Sequence, residues 1–209
     1  MYLFTRSRRT RADDPGGAIA WAIGITEQVR SVTGHEVNAW GSVLSPDAGL
    51  IVWSMWAEHL ADIEQAGDKL MASSEFLDAV KAGEVFGEGP VVDGLAMIVH
   101  GEPDLAAGPP AYVAVASAVA APGHLGDAIA AGIEIADHAT RVSGQATMFA
   151  VNSTGPYGGC AWFTGSPDID TVEAGEAALM GDPDWVKLID RVGTAYNSDA
   201  AQALYRRIS

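Results

Sequence analysis

The chain repeats itself. Displacing the 209-residue sequence by 110 positions lays Tyr2 on Tyr112, Ser7 on Ser117, and Ala18-Ile19-Ala20 on Ala128-Ile129-Ala130. The same displacement matches Ile25 with Ile135, Val32 with Val142, Gly34 with Gly144, Pro46 with Pro156 and Gly49 with Gly159. One residue is then lost, and at 109 the match resumes with Glu64 on Glu173, Leu70-Met71 on Leu179-Met180, Phe76 on Trp185 and Leu95 on Leu204. A duplication of this extent constrains the fold more than any composition can, because both copies must build the same unit.

Each copy reads β-α-β-β-α-β. In the first, residues 1–7 form a strand and Asp13-Asp14-Pro15 opens a helix, where acids and an early proline suit the N-terminus. Ala18, Ile19, Ala22, Ile25, Val29 and Val32 recur at helical spacing until Gly34 stops the helix. Residues 36–44 alternate as a strand, Ser45-Pro46-Asp47-Ala48-Gly49 turns the chain, and 50–57 return. The hairpin recurs as 145–153, a turn at 154–159 and 160–165. A second helix, with Leu60, Ile63, Gly67 and Leu70 on one face, breaks near Ser73-Ser74 and restarts through residue 82. In the second copy the same break carries a good N-cap, Asp182, followed by Pro183. Strands at 91–100 and 201–209 close the units, and Gly101 to Pro110 is the linker. The reading places one domain over 1–105 and another over 111–209.

A hairpin between two crossovers gives a four-stranded antiparallel sheet with both helices on one face, the ferredoxin-like split βαβ arrangement. The other face is too apolar for water, and two copies in one chain can bury these faces against each other. The segment Leu179-Met180-Gly181-Asp182-Pro183-Asp184-Trp185, the unit order and the broken second helix resemble the dimeric α/β-barrel superfamily, including its antibiotic-biosynthesis-monooxygenase-like and NIPSNAP-like domains. The first copy departs from that segment, having Ser73-Ser74-Glu75-Phe76. The resemblance implies a barrel closed within one chain, as two single-unit relatives close by dimerising. It leaves function wide, since the superfamily holds cofactor-free monooxygenases, haem-degrading enzymes, isomerases, cyclases and domains without known chemistry.

Composition removes several alternatives. The net charge is −15, with −9 on residues 1–105 and −6 on the rest, so both copies repel phosphate backbones and no nucleic-acid partner is expected. No apolar run approaches the roughly 18 residues of a membrane span. The order of apolar and basic residues at the start is the reverse of a secretory signal, so a cytoplasmic protein is expected. Cys160 is the single cysteine and reads as a buried structural thiol. None of the five histidines has zinc-site spacing, so no metal is expected. His35, His124 and His138 read as exposed positions, whereas His59 and His100 stand at strand ends.

Tryptophan is distributed unevenly: Trp21, Trp40, Trp53 and Trp56 against Trp162 and Trp185. At the repeat offset Asn38 meets Met148, Trp40 meets Ala150, Trp56 meets Gly165 or Ser166, and Trp53 meets Phe163. Asn38 and Trp40 share one strand parity, and Ser54 and Trp56 share another on the neighbouring strand, but alternation alone leaves open which face each pair takes. The expectation is an aromatic-lined pocket concentrated in the first copy. There Trp40 and Trp56 shape a site for a small apolar or aromatic organic molecule, Asn38 donates a hydrogen bond, and His59 or His100 is the acid/base. By the resemblance, such a site suits a monooxygenase or isomerase with no cofactor. The rival reading is a non-catalytic binding or assembly domain, which is compatible with a homo-oligomer. A haem-binding variant ranks third, because residues 60–82 lack the histidine that haem-degrading members use.

Overall fold

The computed structural model describes residues 1–209. The strands and α-helices of its first copy are β1 (Tyr2–Thr10), α1 (Pro15–Thr33), β2 (Val37–Val43), β3 (Leu50–Ala57), α2 (Leu60–Ala72), α3 (Ser74–Ala82) and β4 (Gly87–His100). The second copy supplies β5 (Tyr112–Val119), α4 (Leu125–Ser143), β6 (Thr147–Asn152), β7 (Gly159–Ser166), α5 (Ile169–Gly181), α6 (Pro183–Val192) and β8 (Ala201–Arg207). The eight strands hydrogen-bond in the order β1-β3-β2-β8-β5-β7-β6-β4 and close into one antiparallel barrel. The tandem ferredoxin-like arrangement read from the repeat is the observed fold.

The helix ends follow the sequence signals. Asp14 caps α1 by accepting a hydrogen bond from the Gly17 amide at 2.8 Å, and Pro15 takes the first helical position. Gly34 and Gly144 end α1 and α4 with φ of 78° and 73°, a left-handed conformation that costs a glycine little. Ser73 caps α3 through the Phe76 amide, and Asp182 caps α6 through the Asp184 amide. The break in each second helix is therefore a new N-terminus with its own cap, not a kink.

One compact unit comprises Met1–Leu95 with Arg206–Ser209, and the other Ala96–Tyr205. The core of the first lies between its sheet and helices: Val37, Ala39, Ile51, Trp53 and Met55 from the strands meet Ala22, Ile25 and Phe76. Ile208 packs on the same cluster, and its amide donates to the Ala39 carbonyl at 2.8 Å. In the second unit Ala118, Phe149, Cys160 and Trp162 meet Ala131, Ile135, Ala136, Leu188 and Val192. There the end of β4 lies beside β6, with Ile98 opposite Ala150. Gly132 is a packing glycine, since a Cβ on it would lie 2.2 Å from the buried Phe149 ring.

Two details differ from the sequence reading. The lost residue belongs to the hairpin turn, so β3 and β7 correspond at 109 throughout. Tyr2 pairs with Ala57 as Tyr112 pairs with Ser166, and Asn38 with Ser54 as Met148 with Phe163. Trp53 therefore corresponds to Trp162, not to Phe163, and Trp56 to Gly165. The apolar helix faces are also narrower than their periodicity suggests. Ile19 and Leu60 are exposed, and the buried position of α2 is Ala66. Small alanines let the helices lie close to the sheet and leave the bulkier residues at the margin.

Candidate functional site

Successive side chains on a strand point to opposite faces, and the core shows which face is which in the first unit. Ala39, Trp53 and Met55 pack against the helices. Asn38, Trp40, Ser54 and Trp56 therefore share the face turned away from them. Register refines the picture: Asn38 lies opposite Ser54, and Trp40 opposite Val52. From β1, Leu3 lies opposite Trp56, Thr5 opposite Ser54, and Ser7 opposite Val52. The sequence alternation could not choose this face, because apolar residues occur on both.

Most polar groups on this face are committed. The Trp40 indole N–H donates to Ser54 Oγ at 2.8 Å, which fixes the ring on the sheet. Thr5 Oγ1 donates to the Gly94 carbonyl at 3.4 Å, and Ser7 Oγ to the Val92 carbonyl at 3.3 Å. Asn38 is the exception, for its Oδ1 is buried and has no hydrogen-bond partner. Trp40 is buried and Trp56 is half-buried. Three of the five sequence candidates, Asn38, Trp40 and Trp56, thus occupy one face.

The two histidines lie elsewhere. His59 is exposed at the N-cap of α2, where its backbone amide donates to Asp62 Oδ2 at 3.0 Å. His100 belongs to the second unit. An irregularity in the β4–β6 pairing at its position precedes the end of the strand, and its Nε2 meets Asp137 Oδ1 on α4 at 2.7 Å.

His138, read from sequence as exposed, is instead largely enclosed on α4. Its Nε2 lies 2.8 Å from Asp182 Oδ2, Arg141 reaches its Nδ1 at 2.7 Å, and the Trp185 ring lies 5.8 Å away. Its spacing from Ala131 and Ile135, seven and three residues back on the buried stripe, was the available signal. The His138 hydrogen bond, and secondarily the Asp184 amide, hold the Asp182 carboxyl below its ordinary value of 3.8. Burial pushes the Cys160 thiol up to about 11 and raises Tyr196. Cys160 is accordingly a core residue, its Sγ 3.5 Å from the Ala118 carbonyl. No cluster of three or more histidine, cysteine, aspartate or glutamate side chains is placed to hold a metal ion, and no helix is long and apolar enough to cross a membrane.

No protein-family model matches the chain, and no curated protein matches it. Among solved structures it is similar to a monooxygenase candidate of Fusobacterium nucleatum, with a TM-score of 0.72 and 9% identity over 100% of this chain and 92% of that one. An anthrone oxidase-like protein aligns with a TM-score of 0.70 and 12% identity, over 100% and 91%. A chlorite dismutase variant of Candidatus Nitrospira defluvii aligns with a TM-score of 0.53 and 13% identity, over 99% and 91%. What these proteins share with the chain is a fold.

Proposed function

We propose that this chain, a tandem-duplicated dimeric α/β barrel, binds a small, largely aromatic organic molecule against the helix-free sheet face of its first unit. The carrying observation is the unpaired Asn38 Oδ1 beside two tryptophans. A buried amide oxygen without a donor costs about 1–3 kcal/mol, and a ligand hydroxyl or N–H relieves that cost. Trp40, held by Ser54, and Trp56 supply flat apolar surface. A site with so few free polar groups acts mainly by orienting its ligand. That favours chemistry in which a reactive substrate needs little help, such as cofactor-free monooxygenation or isomerisation. The acid/base expected at His59 or His100 has no part in this proposal, because His59 is exposed at a helix N-cap and His100 belongs to the second unit. The likeness to structures named as monooxygenase and anthrone oxidase-like supports the reading at the level of fold.

The rival is a binding or assembly domain without chemistry, favoured by one observation: Trp40 is buried and its indole N–H is already satisfied. Thermal denaturation against a panel of small aromatic alcohols and ketones separates the two, combined with mass analysis for retained ligand. A saturable rise in Tm is expected for the wild-type chain. It should be lost in Asn38→Leu and Trp40→Ala but kept in Met148→Leu and Ala150→Gly. A rise that survives the first-unit changes and disappears with those at Met148 and Ala150 moves the site to the second unit. No rise with any compound, and no retained mass, leaves the structural reading.

A further inference from the structure

The helix side of the first unit holds a charged group that the site on the helix-free face does not use. Arg8 stands on β1 opposite Ile51, on the same face as Trp53, and so points toward the helices. Arg6, Arg9, Arg30 and Arg191 each pair with a carboxylate. Arg8 pairs with none. Its Nε is buried without a hydrogen-bond partner, and its Cζ lies 5.9 Å from the centre of the Trp21 ring.

The space for this guanidinium is built into the chain. A Cβ on Gly87 would lie 1.9 Å from Arg8 Nε, 2.0 Å from Cζ and 2.1 Å from Nη2. Gly87 has a φ of −86°, which any residue adopts, so glycine serves here to make room. The three nearest atoms place Gly87 against the Nε–Nη2 side of the guanidinium, leaving the Nη1 end as the part turned away from it. The second unit shows that the fold does not need a charge at this place. There Ala118 replaces Arg8 and Tyr196 replaces Gly87; the Tyr196 ring lies 5.6 Å from Trp162, and its hydroxyl donates to the Ala128 carbonyl at 2.6 Å. Where the second unit has a closed aromatic contact, the first has an unpaired cation.

We propose that Arg8 is the anchor of a second binding site, on the helix side of the first unit, for a small organic carboxylate. Arginine offers five N–H donors and no acceptor, in a planar fork that matches a carboxylate through two parallel hydrogen bonds. Gly87, which packs on Arg8, also lines a cleft of about 470 Å³ with Arg11, Ala12, Asp13 and Glu88; Arg8 does not line it, so its guanidinium must turn past Gly87 to meet a ligand there. Asp13 is paired with Arg11 at 3.7 Å. With Glu88 also there, the surroundings disfavour a doubly charged phosphate more than a singly charged carboxylate.

Sodium benzoate and inorganic phosphate, titrated into the full chain by calorimetry, test this. Benzoate is expected to bind saturably, and phosphate much more weakly. Arg8→Met should weaken benzoate by about tenfold or more, the loss of one charge-assisted pair. Arg8→Lys keeps the charge without the fork and should fall in between, while Asn38→Leu should change nothing, which keeps this site distinct from the helix-free face. Benzoate binding that survives Arg8→Met in a folded variant overturns the proposal, as does phosphate binding as tightly as benzoate. Binding that appears only after Glu88→Gln also overturns it, by making Glu88 the occupant of Arg8.

Discussion

On the sheet face turned from the helices, the first unit carries Thr5, Asn38, Trp40, Ser54 and Trp56; the second carries Val115, Met148, Ala150, Phe163 and Gly165 at the matching positions. Between sheet and helices the contrast reverses. Val37, Met55 and Ala57 of the first unit become Thr147, Thr164 and Ser166 in the second, and His35 becomes Gln145. Thr147 and Thr164 share a hydrogen bond at 2.9 Å, Ser166 donates to Gln145, and Gln145 Nε2 reaches the Thr171 carbonyl at 2.9 Å. Room for Gln145 comes from Gly175, whose Cβ would lie 2.4 Å from that nitrogen, where the first unit has Ala66. Buried polar groups are tolerated when each finds a partner, so the members of this network depend on one another. The polar group on the helix-free face of the first unit, Asn38, has no such partner. That difference separates polarity that holds the fold from polarity left over for something else.

Four measurements would break or sharpen this comparison. The largest effect is expected at the paired core tryptophans. Trp53→Ala and Trp162→Ala should each destabilise the chain by about 3–5 kcal/mol in urea denaturation. Each indole also donates internally, Trp53 to Thr26 Oγ1 and Trp162 to the Gly132 carbonyl. A small loss at one of them would end their equivalence. Next comes Gln145→Leu, which strands Ser166 and the Thr171 carbonyl and should cost about 1–3 kcal/mol. His35→Leu, at a position without a side-chain hydrogen bond, should stay within about 0.5 kcal/mol.

Asn38→Leu should leave ligand-free stability unchanged or raise it by up to about 1 kcal/mol, because it removes an unpaired buried oxygen. A clear loss of stability would show that Oδ1 has a structural partner. The smallest effect is a pH dependence confined to the second unit, where Asp182 replaces Ser73. The Asp182 carboxyl is held below its ordinary value in the folded chain. Its stabilisation is thus complete above about pH 4 and fades as pH falls through the folded value. Asp182→Asn should flatten that part of the stability profile between pH 6 and pH 3, and an unchanged profile would remove Asp182 from the account.

The backbone was legible in the sequence because its signals are local. Gly34, Gly144, Asp14-Pro15 and Asp182-Pro183 each stop or start a helix through their own conformation and hydrogen bonding, and the duplication stated each signal twice. The face assignment of Asn38, Trp40 and Trp56 was not legible, since both parities of β2 and β3 carry apolar residues and only the helices select between them. His138 escaped for a related reason: its partner Asp182 lies 44 positions away, and a capping role already accounted for that aspartate. Arg8 escaped because an unpaired cation is defined by what fails to surround it, which no spacing records. The one-residue slip is visible in the repeat, but its place within the turn follows only from strand register.

Ile208 and Ser209 close on Ala39, and Arg30 reaches Ser209 Oγ at 3.4 Å. The first unit is thus built from two stretches of sequence with the whole of the second unit's chain between them. A ribosome delivers β1, β2 and β3 early and the strand end that seals their core only after the second unit's residues have been made. Until then Val37, Ala39 and their neighbours have one flank uncovered, so during synthesis the first unit waits on the second. The unit begun first is thus the last to have all of its residues, and the pairing that finishes it spans the greatest separation in the chain.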